Sequence, residues 1–316
     1  MRFDSASILC VGEAMIELSE TNFSKRSTAI GIAGDTLNTA IYIKRLLGDY
    51  VTVDYLTVLG VDAFSDHILT FIGSEGIGTN KIRRVSSRNP GLYAINTDLL
   101  GDRSFCYWRD NSAAKTLFEV NDDFETLAGY DFIYYSGISL AILNEKARDA
   151  FLGWVMKKQG EVSFFFDSNY RKSLWSSNTS ARSAIHTAFR NSSIAFASLD
   201  DQKQLTGEFD ESVIVDGLTN SGAPQIVLKR GAAGPRLIGE KNVNPSFQYI
   251  RNVVDSTAAG DSFNAGFISA YLEGNSYFKC AKRGHELASI VVQHPGAVCP
   301  MSKLHNYKNL STGNSH

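Results

Sequence analysis

VVDSTAAGDSFNAGFISAYLEG, residues 253–274, is the stretch that says most about the fold. Its apolar and aromatic residues recur at helical spacing, at Phe263, Phe267, Ala270 and Tyr271. We therefore predict a helix that begins near Gly260, directly after a turn of small residues. Small residues let backbone N–H groups approach an anion closely, and a helix N-terminus carries about half a positive charge. The stretch thus predicts an anion-binding turn at the start of a helix.

Short apolar segments that end in Gly, Asp or Ser recur along the chain before this helix. They lie at residues 8–12, 55–60, 132–137, 162–167, 194–198 and 226–231. Such runs are typical of strands buried on both faces. Helical patterns separate them, for example at residues 36–48 and 141–160. The alternation predicts an α/β fold in which a mainly parallel sheet is covered on both faces.

Two stretches depart from this alternation, at residues 15–20 and about residues 80–110. In the second, KIRRVS, GLYAINTD and RSFCYWRD alternate apolar and polar residues around turn signals at Asn89-Pro90-Gly91 and Gly101-Asp102. We predict a small antiparallel sheet inserted into the main fold, serving as a lid, a dimer face or both. The main domain then spans residues 1–310, with lid strands from about 13–33 and 80–110, and residues 311–316 form a polar tail.

Composition narrows the class of function. The 316 residues carry a formal net charge of -2, without a basic run that could neutralise a nucleic-acid backbone. No apolar run approaches the roughly 20 residues of a membrane span, and the N-terminal residues lack the pattern of a signal peptide. Four dispersed cysteines show no metal-ligand spacing, namely Cys10, Cys106, Cys280 and Cys299. We expect a cytoplasmic protein with reduced thiols that acts on small molecules.

The acidic residue of the anion-binding turn is Asp261, in the first turn of the predicted helix. Taken alone, it could either complement the helix dipole or act on the bound anion. The string DSTAAGD, residues 255–261, resembles the D-T-x-G-A-G-D signature of the ribokinase-like (PfkB) carbohydrate kinases, which have a three-layer α/β/α sandwich fold. The resemblance implies that Asp261 is the catalytic base and that the amides of Ala258, Ala259 and Gly260 form the anion hole. Ala258 replaces a Gly of the signature, which matters if its backbone needs a positive φ.

A second segment fits the same family. Gly34-Asp35-Thr36 alone is compatible with an ordinary loop and helix cap. The string GDTLN, residues 34–38, is similar to the sugar-binding element of the 2-keto-3-deoxygluconate kinases within that family. The resemblance implies that Gly34, Asp35 and Asn38 bind sugar hydroxyls, although Ala33 replaces the first Gly of the family's pair.

Three further segments match the family, and each alone could be an ordinary turn. DSNYR (167–171) follows a buried strand and places Asn169 and Arg171 at the carboxyl end of the sheet, where they could reach a phosphoryl or carboxylate group. The other two segments are LKRGAAG (228–234) and SLDD (198–201). By the resemblance, the residues near the nucleotide are Asn169, Ser198, Lys229, Gly231, Gly234 and Gly260, and Asp201 supports magnesium through water.

The inserted sheet carries candidate substrate-binding residues. Tyr107 and Arg109 are two residues apart and so share a strand face. The residues alone leave open cross-strand aromatic packing beside an exposed Arg. By resemblance to keto-deoxy sugar-acid kinases, Tyr93, Tyr107 and Arg109 act with Arg171 to hold the carboxylate and keto end of the sugar. His285 is expected to pack near the site rather than serve as a base.

The resemblance implies an enzyme that transfers the γ-phosphoryl group of ATP to the 6-hydroxyl of 2-keto-3-deoxygluconate. ATP and Mg²⁺ are the implied cofactors, and a monovalent cation is left open. The implied partners are a sugar acid, ATP and further copies of the chain through the lid, with no nucleic acid and no membrane. Another sugar kinase of this fold, acting on fructose, ribose or a nucleoside, is the alternative. A catalytically silent sugar-binding protein is a second one.

Overall fold

The computed structural model describes residues 5–22, 25–97, 103–239, 247, 252–304 and 307. The predicted turn at Gly101-Asp102 and the predicted tail at 311–316 lie outside these residues. The strands are β1 (Ala6–Val11), β2 (Met15–Asn22), β3 (Ser27–Ala33), β4 (Val51–Leu56), β5 (Val58–Leu59), β6 (Arg83–Arg84), β7 (Gly91–Thr97), β8 (Arg103–Trp108), β9 (Phe132–Ser136), β10 (Ser163–Asp167), β11 (Ile194–Ser198), β12 (Ile226–Lys229) and β13 (Arg236–Ile238). The α-helices are α1 (Asp35–Leu47), α2 (Ala63–Ser74), α3 (Asn121–Glu125), α4 (Gly137–Ala141), α5 (Glu145–Lys158), α6 (Asn178–Arg190), α7 (Leu199–Thr206), α8 (Glu211–Thr219), α9 (Ala259–Leu272) and α10 (Tyr277–Val291).

The main sheet confirms the predicted α/β fold. Its strand order is β13-β12-β11-β10-β9-β1-β4, and every pair is parallel except β12 with β13. Strand β10 shows why two layers of helices are needed. Phe165 packs into the core on one face, and its neighbours Phe164 and Phe166 pack into the core on the other. Helices α1, α9 and α10 cover the first face, and α5 and α6 cover the second.

Two predicted strands differ from those observed. The run at 55–60 was expected to be one strand, but β4 begins earlier, at Val51, and β5 is separate. The start of β4 alternates buried and exposed residues because β4 is the edge strand of the sheet, so a search for a continuous apolar run misses it. The segment KIRRVS was expected in the lid, but Arg83–Arg84 pairs with β5 instead. Ion pairs from Arg83 to Asp123 and from Arg84 to Asp66 hold it there.

The lid sheet has the strand order β3-β2-β7-β8. Its two outer pairs are antiparallel, and the central pair, β2 with β7, is parallel. One face packs a small cluster that includes Met15, Ala33, Tyr93 and Ile95. None of the helices in the described residues combines the length and the hydrophobicity that a bilayer crossing requires.

Candidate active site

A cavity of about 830 Å³ lies between the lid sheet, the carboxyl ends of the main strands and the N-terminus of α9. The residues predicted for the site all line it: Gly34, Asp35, Asn38, Tyr93, Tyr107, Arg109, Asn169, Arg171, Ser198, Asp201, Lys229, Gly231, Gly234, Ala258, Ala259, Gly260 and Asp261. They come from distant parts of the chain. The parallel strands bring the residues at or after the ends of β10, β11 and β12 to one edge of the sheet, and the lid, α1 and the start of α9 supply the others.

The anion-binding turn precedes α9 as predicted. The helix begins at Ala259, and its N-cap, Ala258, has left-handed backbone angles, φ 59° and ψ 16°. The replacement of Gly by Ala in the signature therefore does fall where a positive φ is required. Asp255 anchors the turn, because its carboxylate accepts hydrogen bonds from Thr257 N at 2.9 Å and Gly296 N at 2.6 Å. The first-turn N–H groups of a helix have no intrahelical acceptors, so an anion can use them.

Asp261 is buried in the first turn of α9, with 9% of its surface exposed. Burial raises the pKa of its carboxyl to about 8, and the charges of Asp35 and Asp167 add to this effect. Opposing it are the hydrogen bond from Asn38 Nδ2, at 2.8 Å, and the charge of Lys229. A pKa near neutral suits a general base, because proton transfer is most efficient when the pKa lies near the working pH.

Asp35 opens α1 and is the centre of a polar network on the lid side of the cavity. Its Oδ2 accepts hydrogen bonds from Ser136 Oγ at 2.5 Å and from Asn169 Nδ2 at 2.8 Å. Asn169 was predicted near the nucleotide, but its described hydrogen bond is to Asp35. The close packing explains Gly34, because a Cβ there would lie 2.1 Å from the carbonyl oxygen of Glu13. The side chains of this network can bind several hydroxyl groups.

The lid residues are paired within the protein. Arg109 forms a buried ion pair with Glu13, and the Tyr93 hydroxyl donates to the carboxylate of Glu17. The ring of Tyr107 lies 5.7 Å from that of Tyr93 and 5.9 Å from the Arg109 guanidinium carbon. Tyr107 and Arg109 therefore do share a face. Arg109 is not a free cation, since a carboxylate already contacts it.

Arg171 and Asp201 lie together on another wall of the cavity. Arg171 Nη1 is 3.3 Å from Asp201 Oδ1, and the other oxygen of Asp201 accepts from Tyr170 N at 3.1 Å. Burial raises the pKa of Asp201, and Arg171 opposes that rise. About half of the Arg171 side chain is exposed, which leaves it open to a ligand. Ser198 caps α7, accepting a hydrogen bond from Asp201 N at 3.4 Å.

The glycine turn after β12 also lines the cavity, as does the start of α9. Gly231 and Gly234 have φ of 54° and 75°, a region that favours glycine. Lys229, the last residue of β12, points toward Asp167 and Asn264. His285 lines the cavity from α10 and packs against Phe247, with 4.9 Å between ring centroids.

The sequence pattern of the "pfkB family carbohydrate kinase" family matches residues 5–304. The chain belongs to this family. It is 40% identical over 307 residues to a protein of Dickeya dadantii (strain 3937) named 2-dehydro-3-deoxygluconokinase, covering 94% of this chain and 98% of that one. Proteins with the same name from Escherichia coli (strain K12) and Haemophilus influenzae are 39% and 36% identical, over 94% and 92% of this chain and 98% and 95% of theirs. The crystal structure of a fructokinase with bound ATP from Xylella fastidiosa shares the fold, with a TM-score of 0.80, 20% identity and coverage of 97% of this chain and 99% of that one.

Four residues of this PfkB kinase that line the cavity or contact its lining residues were not predicted: Glu13, Glu17, Asp167 and Asn264. Glu13 and Glu17 are acidic residues within an otherwise apolar stretch, and both are buried. That combination is a usable signal, because a buried carboxylate needs a partner. Asp167 begins the predicted segment DSNYR, and Asn264 lies one turn of helix after Asp261.

Proposed function

We propose that this chain is a 2-dehydro-3-deoxygluconokinase, which uses ATP to convert 2-keto-3-deoxy-D-gluconate into 2-keto-3-deoxy-6-phosphogluconate. The observation that carries the proposal is the cavity, in which a buried carboxylate at a helix N-terminus lies with Arg109 and Arg171. The three relatives at 36–40% identity support the choice of sugar acid through their name.

The transfer follows from the placement of Asp261. Its carboxylate takes the proton of the 6-hydroxyl as that oxygen forms a bond to the γ-phosphorus of ATP. The bond from the γ-phosphorus to the β,γ-bridging oxygen breaks, and ADP leaves with the electron pair. The amides of Gly260 and Asp261 stabilise negative charge on the transferring group, whereas the amide of Ala259, also predicted for this role, already donates to Ser256 O at 3.2 Å. Phosphoryl transfer depends mainly on such positioning and charge stabilisation.

Magnesium fits the site as an ion that arrives with the nucleotide. Among the described residues, no group of three or more His, Cys, Asp or Glu side chains could hold a metal. Mg²⁺ in kinases keeps several waters and uses substrate phosphates with one or two carboxylates. Both oxygens of Asp201 already have partners, so Asp201 would hold the ion through water. Bound there, Mg²⁺ would neutralise charge on the phosphates.

Arg109 and Arg171 bind the carboxylate of the sugar acid, and Tyr93 and Tyr107 pack next to Arg109. Each arginine is shared with a carboxylate of the protein, Glu13 or Asp201. This sharing keeps both guanidinium groups oriented before the substrate arrives, and it lowers the net positive charge that they present. A neutral sugar would offer no carboxylate to the remaining N–H donors of these arginines.

We further propose that the protein works in the cytoplasm as a homo-oligomer that assembles through the lid sheet. The four cysteines are free thiols, which is typical of a reducing compartment. The lid exposes large apolar side chains, including Ile30 and Trp108. Exposed apolar groups of this size are typical of interaction surfaces.

A coupled kinase assay tests the proposed reaction across 2-keto-3-deoxygluconate, fructose and ribose. A charge-assisted hydrogen bond contributes about 1.5–3 kcal/mol, so the two arginines should favour the sugar acid by at least about 10²-fold in kcat/KM. Equal or better turnover of a neutral sugar would overturn the assignment.

A variant tests whether Arg171 binds the carboxylate of the sugar acid. Arg171→Ala should raise KM for the sugar acid at least about tenfold and leave KM for ATP nearly unchanged. Lys172→Ala is the matched control, because it removes the same charge from the next residue, which does not line the cavity. An unchanged preference for the acid in Arg171→Ala would mean that the carboxylate is read elsewhere.

A further inference from the structure

Lys229 lines the cavity, and its largely buried ammonium lies between two polar side chains. Its Nζ lies 3.0 and 2.9 Å from the two oxygens of Asp167, and 3.3 Å from Asn264 Oδ1. Asn264 in turn donates to Asp167 Oδ2 at 2.7 Å and to the hydroxyl of Tyr134 at 3.0 Å. Only 14% of the Lys229 side chain is exposed. Contacts from β10 and α9 therefore fix the ammonium in place.

The ammonium also touches the anion-binding turn. A Cβ built on Gly260 would lie 3.3 Å from Lys229 Nζ, and that is the nearest atom it would meet. Gly260 is the second residue of α9, so the lysine's charge lies beside the positive end of the helix. Two sources of positive potential thus converge on one point of the cavity wall, next to Asp261.

Lys229 has an N–H group with which it can bind a ligand. An ammonium carries three N–H groups. One can serve both oxygens of Asp167 and a second can serve Asn264, which leaves a third for an anion at the turn. An ion pair whose only role was to link two strands would not need to lie against the backbone of a third element.

We propose that Lys229 is a catalytic residue of the transfer step, and that Asp167 and Asn264 are the positioning residues that aim it. This inference rests on the proposed function. The ammonium donates a hydrogen bond to a non-bridging oxygen of the phosphoryl group while the bond to the sugar oxygen forms and the bond to ADP breaks. Lys229 keeps its proton throughout, and Asp261 receives the proton of the hydroxyl.

A catalytic lysine at this position has a second effect, on Asp261. The ionisable side chains that influence Asp261 come from five elements: Asp35 (α1), Tyr93 (β7), Tyr134 (β9), Asp167 (β10) and Lys229 (β12). After burial and Asp35 have raised the pKa of Asp261, Lys229 opposes them. Its removal should therefore move the acid limb of the pH–rate profile to higher pH.

The test uses Lys229→Met and the double variant Lys229→Met/Asp167→Asn. In the double variant neither position 167 nor position 229 is charged. A loss of activity can therefore not be caused by a buried Asp167 carboxylate that has lost its partner. Both should lose at least about 10²-fold in kcat, the usual effect of removing one donor to a transition-state charge. KM for the sugar acid should stay within roughly threefold in both variants. The acid limb should shift upward in Lys229→Met alone, because the double variant also removes the charge of Asp167, which raises the pKa of Asp261. Lys158→Met, at a surface ion pair on α5, is the matched control and should match the wild type.

A folded double variant with near-normal kcat would overturn the inference, because Lys229 would then only neutralise Asp167. That result would leave the proposed function intact, since the wild type would still phosphorylate the sugar acid. A wild type inactive toward every acceptor would overturn both proposals.

Discussion

A carboxylate that accepts a proton near neutral pH needs surroundings that resist its ionisation. Asp261 has them because α9 buries it and because Asp35 and Asp167 converge on it from other elements. The sequence identified Asp261 through the turn before it. It could not show that Asp167 lies nearby, because these two residues are 94 positions apart and meet only when the strands of the sheet align.

Asp261→Asn tests the base directly. The two side chains are nearly isosteric, and the amide oxygen of Asn can still accept the hydrogen bond from Asn38. We expect the fold and ATP binding to survive, while kcat falls by about 10²- to 10⁴-fold. Steady-state kinetics with the sugar acid measures the loss, and ADP titration checks the nucleotide site. Turnover close to that of the wild type would remove Asp261 from the mechanism.

The same variant should also alter the pH dependence of stability. The pKa of Asp261 is about 8 in the folded protein, against about 3.9 for Asp in an unfolded chain. The folded state therefore binds the proton more tightly, and stability falls as the pH rises from about 4 to about 8. Asn cannot ionise, so the variant's advantage should grow over that range, to at least about 1.4 kcal/mol. Urea unfolding near both ends of the range checks this, and a constant difference would contradict it.

At the scale of elements, the sequence predicted α9 closely because its apolar spacing and its small-residue turn agree. It predicted β4 poorly, since an edge strand shows alternation where an inner strand shows a continuous run. It assigned Arg83–Arg84 to the lid because local alternation does not reveal a strand's partner. That partner was fixed by ion pairs with Asp66 and Asp123, which no local pattern contains.

The N-cap of α9 supplies a prediction about stability. Ala258 has φ 59°, and an L-residue in the left-handed region carries a cost of roughly 1 kcal/mol. Ala258→Gly should therefore stabilise the protein by up to about 0.5 kcal/mol, because the relief of strain exceeds the entropy that Gly adds to the unfolded chain. Urea unfolding measures the change. Ala259→Gly is the control, since Ala259 has an ordinary helical backbone and should gain nothing. Equal effects in the two variants would show that strain at Ala258 is absent.

At the scale of the whole molecule, the site exists because the main sheet and the lid sheet close one cavity together. The parallel strands bring Asp167, Arg171 and Lys229 to a common edge, which the alternating pattern of strands and helices could predict. The lid brings Arg109 over that edge. Its ion pair with Glu13 was beyond prediction, because Glu13 follows β1 and Arg109 follows β8, and only the parallel pairing of β2 with β7 brings them together.

The lid also bears on how copies of the chain associate. Side chains on adjacent positions of a strand point to opposite faces, so Ile30 and Trp108 lie on the face away from Tyr93 and Tyr107. Ile30 is 63% exposed and Trp108 is 58% exposed. A sheet of four strands cannot cover such groups by itself, whereas the lid of a second copy can.

We therefore expect the protein to form an oligomer that dissociates when one charged residue is introduced on the lid. Ile30→Lys should shift the protein toward monomers at micromolar concentration, because an interface that buries Ile30 would have to desolvate the new ammonium group. Ile30 is exposed in the single chain, so the fold should not change. Phe209→Lys is the matched control: Phe209 is 76% exposed between α7 and α8, outside the lid sheet, and its variant should keep the wild-type mass. Light scattering measures the mass of the three proteins in solution. A monomeric wild type would show that the lid forms no interface. An oligomeric Ile30→Lys variant with the wild-type mass would show that the interface does not include Ile30.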